Sequence, residues 1–260
     1  SEPPAAAPGL RPSGFGEFVG QRAAVEGLLL AGRAACERGE PLGHTLLDGP
    51  AGLGKTSLCR LLAREFGSGI EETVGGNIGD PHQLIALLTR LRERSFLFID
   101  EIHGMDRACE EALYSAMEDG IVSAVLREAG RAGCAGARTR TVRIRLAPFT
   151  LVAATTCMGT LSEPFRARFR HVERLEPYTE EEIAEVAAGA ARKLGTSVSP
   201  EAAREISRRS RGTPRDAIRI LDRARDVAQL AGAGGIDLAH VGQAATRLGI
   251  DANGLDRVER

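Results

Sequence analysis

One stretch restricts this chain more than any other: Gly49-Pro50-Ala51-Gly52-Leu53-Gly54-Lys55-Thr56, whose spacing is G-x-x-x-x-G-K-[ST]. The apolar run Thr45-Leu46-Leu47 ahead of it reads as a buried strand, and Ser57 to Glu65 behind it reads as a helix. Between a strand and a helix, such a loop turns backbone N–H groups into a concave nest at the helix N-terminus, where the phosphates of a nucleoside triphosphate bind. In that geometry Lys55 reaches the β- and γ-phosphates and the Thr56 hydroxyl ligates Mg²⁺. The motif predicts an α/β fold with the loop at a strand's carboxyl end.

Further parts of the same chemistry follow in order. Phe96-Leu97-Phe98-Ile99 ends in Asp100-Glu101, which reads as a fully buried parallel strand delivering two acids at its C-terminal end. This is a Walker B element, with Asp100 set to hold Mg²⁺ and Glu101 to orient and polarise the attacking water. Phe149 to Thr156 is another core strand, ending in hydroxyls, and a polar residue there can hydrogen-bond the nucleophilic water or the γ-phosphate. Ser162 to Phe169 then reads as a short helix carrying Arg166 and Arg168, and Val172 to Leu175 as a further strand. Around these, helices are expected over Arg22 to Arg38, His82 to Arg92 (capped by Asp80 with Pro81 at its first position) and Asp106 to Glu118, and a β-like stretch over Ile70 to Val74.

From Gly120 to Arg145 the pattern becomes a long hairpin with a loose Gly/Ala-rich tip. Arg127 to Arg145 holds six arginines and one acid, the strongest positive patch in the chain, readable equally as a DNA- or partner-facing surface and as a solvated strand face. After Thr179 only helices are expected: Glu180 to Leu194, Pro200 to Arg209, Pro214 to Leu230 and one near Leu238 to Leu248. Thr179 with Glu182 forms a capping box. The expected organisation is a lead-in at 1–14, an α/β domain at 15–177 with the hairpin at 120–146, a helical domain at 178–250 and a final segment at 251–260.

Composition narrows the setting. A net charge of −1 excludes a uniformly basic nucleic-acid coat, so DNA affinity must come from local patches. Lysine occurs only at Lys55 and Lys193, so arginine abundance by itself says little and position must decide each role. Five scattered cysteines without a C-x-x-C pair argue against a disulfide framework and a zinc site, and fit a reducing cytoplasm. No apolar run approaches the ~20 residues that span a bilayer, so no membrane span is expected.

The ordered set, from the phosphate loop through Asp100-Glu101, the polar strand end and the arginine pair to a helical lid with Gly212-Thr213-Pro214-Arg215, resembles an AAA+ ATPase. Within that class the chain resembles the RuvB family, the hexameric motor of Holliday-junction branch migration. The matching stretches are Glu17 to Gln21, Gly49 to Thr56, Phe98 to His103, Glu110 to Asp119, Phe149 to Thr156, Pro164 to Phe169 and Arg209 to Arg215. The resemblance implies an AAA+ P-loop parallel-sheet domain followed by an all-helical lid, binding ATP and Mg²⁺ and acting on four-way junction DNA. It implies that Thr156 is the sensor-1 residue, Arg168 the finger that a neighbouring subunit inserts against the γ-phosphate, and Arg215 the sensor-2 arginine, with Arg166 an alternative finger. Phe18, Val19, Tyr178 and Pro214 would surround the adenine. Gly49, Gly52, Leu53, Gly54, Lys55, Thr56 and Ser57 would bind the phosphates, making the loop one half of a composite site between subunits.

Three departures from the family pattern stand out. Gly254 to Arg260 resembles only the first residues of the family's winged-helix DNA-binding domain, so that domain is expected to be truncated or absent. The hairpin's Gly/Ala-rich expansion puts docking of a RuvA-like junction-binding protein in doubt. Gly104 and Cys157 stand where the family usually has arginine, and Asp48 adds an acid beside the phosphate loop. Two functions are compatible with these features: an ATP-hydrolysing DNA motor, and a nucleotide-gated scaffold or protein remodeller without branch migration.

Overall fold

The computed structural model describes residues 8–128 and 138–255. Parts of the expected lead-in and final segment, the hairpin tip and Cys134 lie outside the described residues. In chain order the elements are α1 (Arg22–Arg38), β1 (Thr45–Asp48), α2 (Lys55–Glu65), β2 (Ile70–Val74), α3 (Pro81–Leu88), β3 (Phe96–Asp100), α4 (Arg107–Asp119), β4 (Ile121–Glu128), β5 (Arg138–Arg145), β6 (Thr150–Thr155), α5 (Glu163–Arg166), β7 (His171–Arg174), α6 (Glu180–Lys193), α7 (Pro200–Ser210), α8 (Pro214–Leu230) and α9 (Leu238–Leu248). They group into two compact units: Ala24–Gly49 with Leu62–Arg174, and Pro50–Leu61 with the residues from Leu175 onward and those before Ala24.

The first unit is built on a parallel sheet of order β2-β3-β6-β1-β7. Burial explains the order. Every residue of β6 is buried, as are the first four of β3 and the first three of β1, which suits strands covered on both faces. The edge strands β2 and β7 are only partly covered. Asp48 pairs with Thr155, and Ile99 with Ala153, so Asp48, Asp100 and Thr155 end their strands along one edge of the sheet. Gly32 in α1 is a packing requirement, since a Cβ there would lie 2.0 Å from the Phe66 ring.

The expected hairpin is formed by β4 and β5, antiparallel from the pair Ile121–Arg145 to the pair Glu128–Arg138. Gly120, in the left-handed conformation at φ 62°, caps α4 and turns the chain into β4. The Leu146 N–H bond to the Gly120 carbonyl closes the hairpin base. Val122 and Ala124 are buried against the core, while Arg140, Arg143 and Arg145 are exposed.

Two helices are shorter than their sequence patterns. The side chain of Asp80 caps α3, accepting from the His82 and Gln83 N–H groups at 2.7 and 3.0 Å, but the helix ends at Leu88 rather than Arg92. Its last turn tightens, with the N–H of Arg90 on Leu87 and of Leu91 on Leu88, which keeps Leu91 in the core before the chain reverses into β3. Helix α5 stops at Arg166 for the same reason: Arg168 and Phe169 donate to the carbonyls of Phe165 and Arg166.

In the second unit, α6 begins at the Thr179–Glu182 capping box and α7 at Ser199, whose side chain accepts from the Ala202 N–H. A further box, Asp237 with His240, opens α9. Buried Ile183, Ala187, Ile206, Ile220, Leu221 and Val241 fill this unit's helical core. Among the described residues no helix is long and apolar enough to cross a membrane. No disulfide forms among Cys36, Cys59, Cys109 and Cys157.

His44 supplies a test of the first unit's packing. Its Nδ1 accepts the Leu151 N–H at 3.0 Å, its ring bonds the Met117 backbone and lies 5.3 Å from the Phe149 ring. Burial lowers its pKa from 6.5 to about 4. Between those values the unfolded chain binds a proton that the folded chain excludes, so His44's contribution is complete above pH 6.5 and is lost as pH falls toward 4. Denaturant titrations at about pH 7 and about pH 4.5 should show a loss of stability that is smaller in a His44→Gln variant, whose baseline stability is lower.

Candidate active site

In the second unit the phosphate loop runs into α2, which starts at Lys55. Gly52 and Gly54 have φ of 85° and 97°, a region that side-chain-bearing residues rarely occupy, so the loop can present backbone N–H groups inward. Lys55 is buried at 6% exposure, and its Nζ donates to the Pro50 carbonyl at 3.0 Å. Thr56 and Ser57 are half-buried in the first turn of α2.

Around this loop the second unit gathers several predicted residues. A Cβ on Gly52 would meet Thr213 Cγ2 at 2.7 Å and Arg215 Cβ at 2.9 Å, and the Arg215 N–H approaches the Gly52 carbonyl at 3.4 Å. The N-terminus of α8, with Pro214 at its first position, therefore lies directly against the loop. Phe18's ring lies 3.4 Å from where a Gly54 Cβ would be, and Tyr178 donates its hydroxyl to the Leu53 carbonyl at 3.2 Å. Burial pushes the Tyr178 hydroxyl's pKa well above its ordinary value, keeping it a donor. Val19 follows Phe18, half-buried. Gln21 fastens this N-terminal stretch to the lid, exchanging two hydrogen bonds with the Glu176 backbone.

The first unit carries the acids and hydroxyls. Gly49, at φ 140°, donates its N–H to the Thr155 carbonyl at 3.2 Å, so the β1–β6 pairing continues one residue into the phosphate motif. Asp100 Oδ1 accepts the Glu101 N–H at 3.1 Å. Glu101 itself is left-handed, at φ 46° and ψ 51°, an uncommon conformation for a residue with a side chain. Its Oε2 accepts the Thr156 hydroxyl at 3.1 Å and lies 3.2 Å from His103 Nδ1. His103 Nδ1 is also 3.0 Å from the Thr155 hydroxyl.

Gly75 makes this turn possible. A Cβ there would lie 2.4 Å from the Glu101 carbonyl oxygen and 3.1 Å from Ile102 Cα. Gly75, His103 and Thr155 have no assigned role in the sequence reading; the strand's hydroxyl ending pointed as much to Thr155 as to Thr156.

Arg168 follows the tight turn after α5. Its guanidinium lies over the Tyr114 ring, 4.5 Å from the centroid, donates to the Tyr114 hydroxyl and pairs with Glu118 at 3.0 Å. The Tyr114 hydrogen bond, ahead of the Glu118 charge, raises its pKa. Tyr114 and Glu118 were not predicted as its partners. Arg166 is half-buried beside Phe165 in the same turn.

Among the described residues no group of three His, Cys, Asp or Glu side chains is placed to hold a metal. The candidate metal ligands Thr56 and Asp100 are hard oxygen donors, the kind that suits Mg²⁺ completed by water and phosphate oxygens.

Residues 10–175 match the family described as the Holliday junction DNA helicase RuvB P-loop domain, and residues 178–251 match the RuvB AAA lid domain. The RuvB subunit of the Holliday junction branch migration complex from Anaeromyxobacter sp. (strain K) is 48% identical over 251 residues, covering 96% of this chain and 71% of the relative. That of Granulibacter bethesdensis is 47% identical over 259 residues, covering 100% of this chain and 70% of the relative. A solved structure described as the Thermotoga maritima RuvB Holliday junction branch migration motor superposes with a TM-score of 0.84 at 40% identity, covering 96% of this chain and 76% of that one. A nucleotide-binding AAA+ P-loop domain and its helical lid are thus accounted for together, and the chain belongs to the RuvB family.

Proposed function

We propose that this chain is an ATP-hydrolysing DNA motor that works as a hexameric ring in the cytoplasm and drives branch migration of four-way junctions. The observation that carries this reading is the pairing of Glu101 with Thr156 at the carboxyl edge of the parallel sheet, the edge from which the chain enters the phosphate loop. Membership of the RuvB family favours the motor over the scaffold.

In this reading Gly49 to Ser57 bind the phosphates through backbone amides, and Phe18, Val19, Tyr178 and Pro214 hold the adenine. Thr56 and Asp100 would hold Mg²⁺, which when bound would supply positive charge against the phosphates. Glu101 takes a proton from the water as its oxygen bonds to the γ-phosphorus and the bond to the bridging oxygen breaks. Thr156 orients the water or the γ-phosphate, and Lys55 and Arg215 neutralise developing charge. Arg168, supplied by the neighbouring subunit, completes that neutralisation and makes hydrolysis depend on the ring. Its ion pair with Glu118, 35% and 42% exposed, is of the weak and exchangeable kind. Exposed Arg140, Arg143 and Arg145 on β5 give the hairpin a face suited to phosphate backbones.

Three measurements test this reading. Glu101→Gln should keep nucleotide binding and lose turnover and junction migration by roughly a hundredfold or more; normal turnover in that variant would exclude Glu101 as the catalytic acceptor. Arg168→Ala should bind ATP normally and hydrolyse none, while mixing it with Glu101→Gln subunits restores part of the turnover. Absence of that complementation would rule out a finger supplied in trans. Gly75→Ala should displace the Glu101 turn, lowering kcat far more than nucleotide affinity, at a stability cost of about 1–3 kcal/mol. Equal kinetics in the two proteins would show that the turn tolerates the added methyl.

A further inference from the structure

Among the described residues, His103 is a titratable side chain beside Glu101 that the mechanism above leaves unused, and its ring position is closely determined. The turn Ile102–Gly104 that carries it is anchored by buried Ile102 and by the Gly104 N–H on the Glu101 carbonyl at 2.9 Å. On its other side the Thr155 hydroxyl, fully buried, lies 3.0 Å from Nδ1 and accepts the Cys157 N–H at 3.0 Å. The same Nδ1 is 3.2 Å from Glu101 Oε2. An ionised carboxylate oxygen only accepts and the Thr155 hydroxyl is able to accept, so the tautomer that suits both neighbours carries its proton on Nδ1.

Two groups then converge on one oxygen of Glu101: the Thr156 hydroxyl, which donates to it at 3.1 Å, and His103 Nδ1, in contact at 3.2 Å. Oε2 is thereby occupied, and Oε1 is left as the oxygen able to take a proton. With side chains 26% and 33% exposed, the His103–Glu101 contact adds little stability. What it supplies is direction, for a residue whose backbone is already in a sparsely populated conformation.

We propose that His103 is a positioning residue for ATP hydrolysis: seated on Thr155, it fixes one carboxylate oxygen of Glu101 so that the other receives the proton of the attacking water. This inference rests on the catalytic role proposed above for Glu101.

The test compares steady-state ATP hydrolysis by the wild-type chain, Glu101→Gln, His103→Ala, His103→Asn and Thr155→Val, with thermal melting as a folding control. His103→Ala should lower kcat roughly tenfold to a hundredfold, with KM for ATP within about twofold of wild type. His103→Asn, whose amide can donate from a similar position, should recover most of the loss. Thr155→Val, which removes the ring's support without touching Glu101, should reproduce the kcat defect should His103→Ala fail to fold.

Independently of turnover, ¹⁵N correlation spectra of the histidine rings should show His103 protonated at Nδ1. A wild-type kcat in His103→Ala, an Asn variant no better than the Ala variant, parallel loss of kcat and ATP affinity, or a bare Nδ1 would each overturn the proposal. Full activity in Glu101→Gln would instead remove the reading beneath it, so the two failures are distinguishable.

Discussion

The hydrogen bond from the Gly49 N–H to the Thr155 carbonyl fixes the geometry on which the rest of the site depends. It continues the β1–β6 pairing, joining the residue just past the end of β1 to the last residue of β6, and it sets the point at which the chain leaves the sheet. Thr155 is fully buried, so neither partner can drift without opening a rung in an apolar interior. Its hydroxyl meanwhile accepts from Cys157 and contacts His103. One residue thus ties the start of the phosphate motif, the polar strand end and the turn after β3 to a common frame.

That frame holds its polar groups chiefly by backbone shape. Glu101 is left-handed, and the turn beside it approaches residues 75 and 76 so closely that a Cβ is excluded at Gly75. Ion pairs play a smaller part, since those around Glu101 and Arg168 are partly exposed. The result is a fixed backbone scaffold whose charged tips are joined by partly exposed ion pairs.

Much of the architecture was legible before any coordinates because its signals are local. Helix α8 spans Pro214–Leu230 and α9 Leu238–Leu248, where proline at a first position and left-handed Gly249 mark the ends. The buried strands announced themselves as short apolar runs ending in polar residues. What escaped reading depends on where a chain bends back. Helices α3 and α5 end early because their last turns tighten to serve the core, which 3.6-residue periodicity does not reveal. The α9 capping box went unread because His240 occupies the seat normally filled by Glu or Gln. Gly75 against Glu101, His103 against Thr155 and Arg168 against Tyr114 join segments distant in sequence, and only the fold brings them together.

Helix α4 carries Tyr114 and Glu118, the two partners of Arg168, and continues through Gly120 into the first strand of the hairpin. At about 1.5 Å of rise per residue, Tyr114 stands roughly 9 Å from the hairpin's root. The two belong to one continuous stretch of chain, α4 running through its Gly120 cap into β4. Whatever sets the orientation of this one helix therefore sets both the root of the hairpin and the surface on which Arg168 rests.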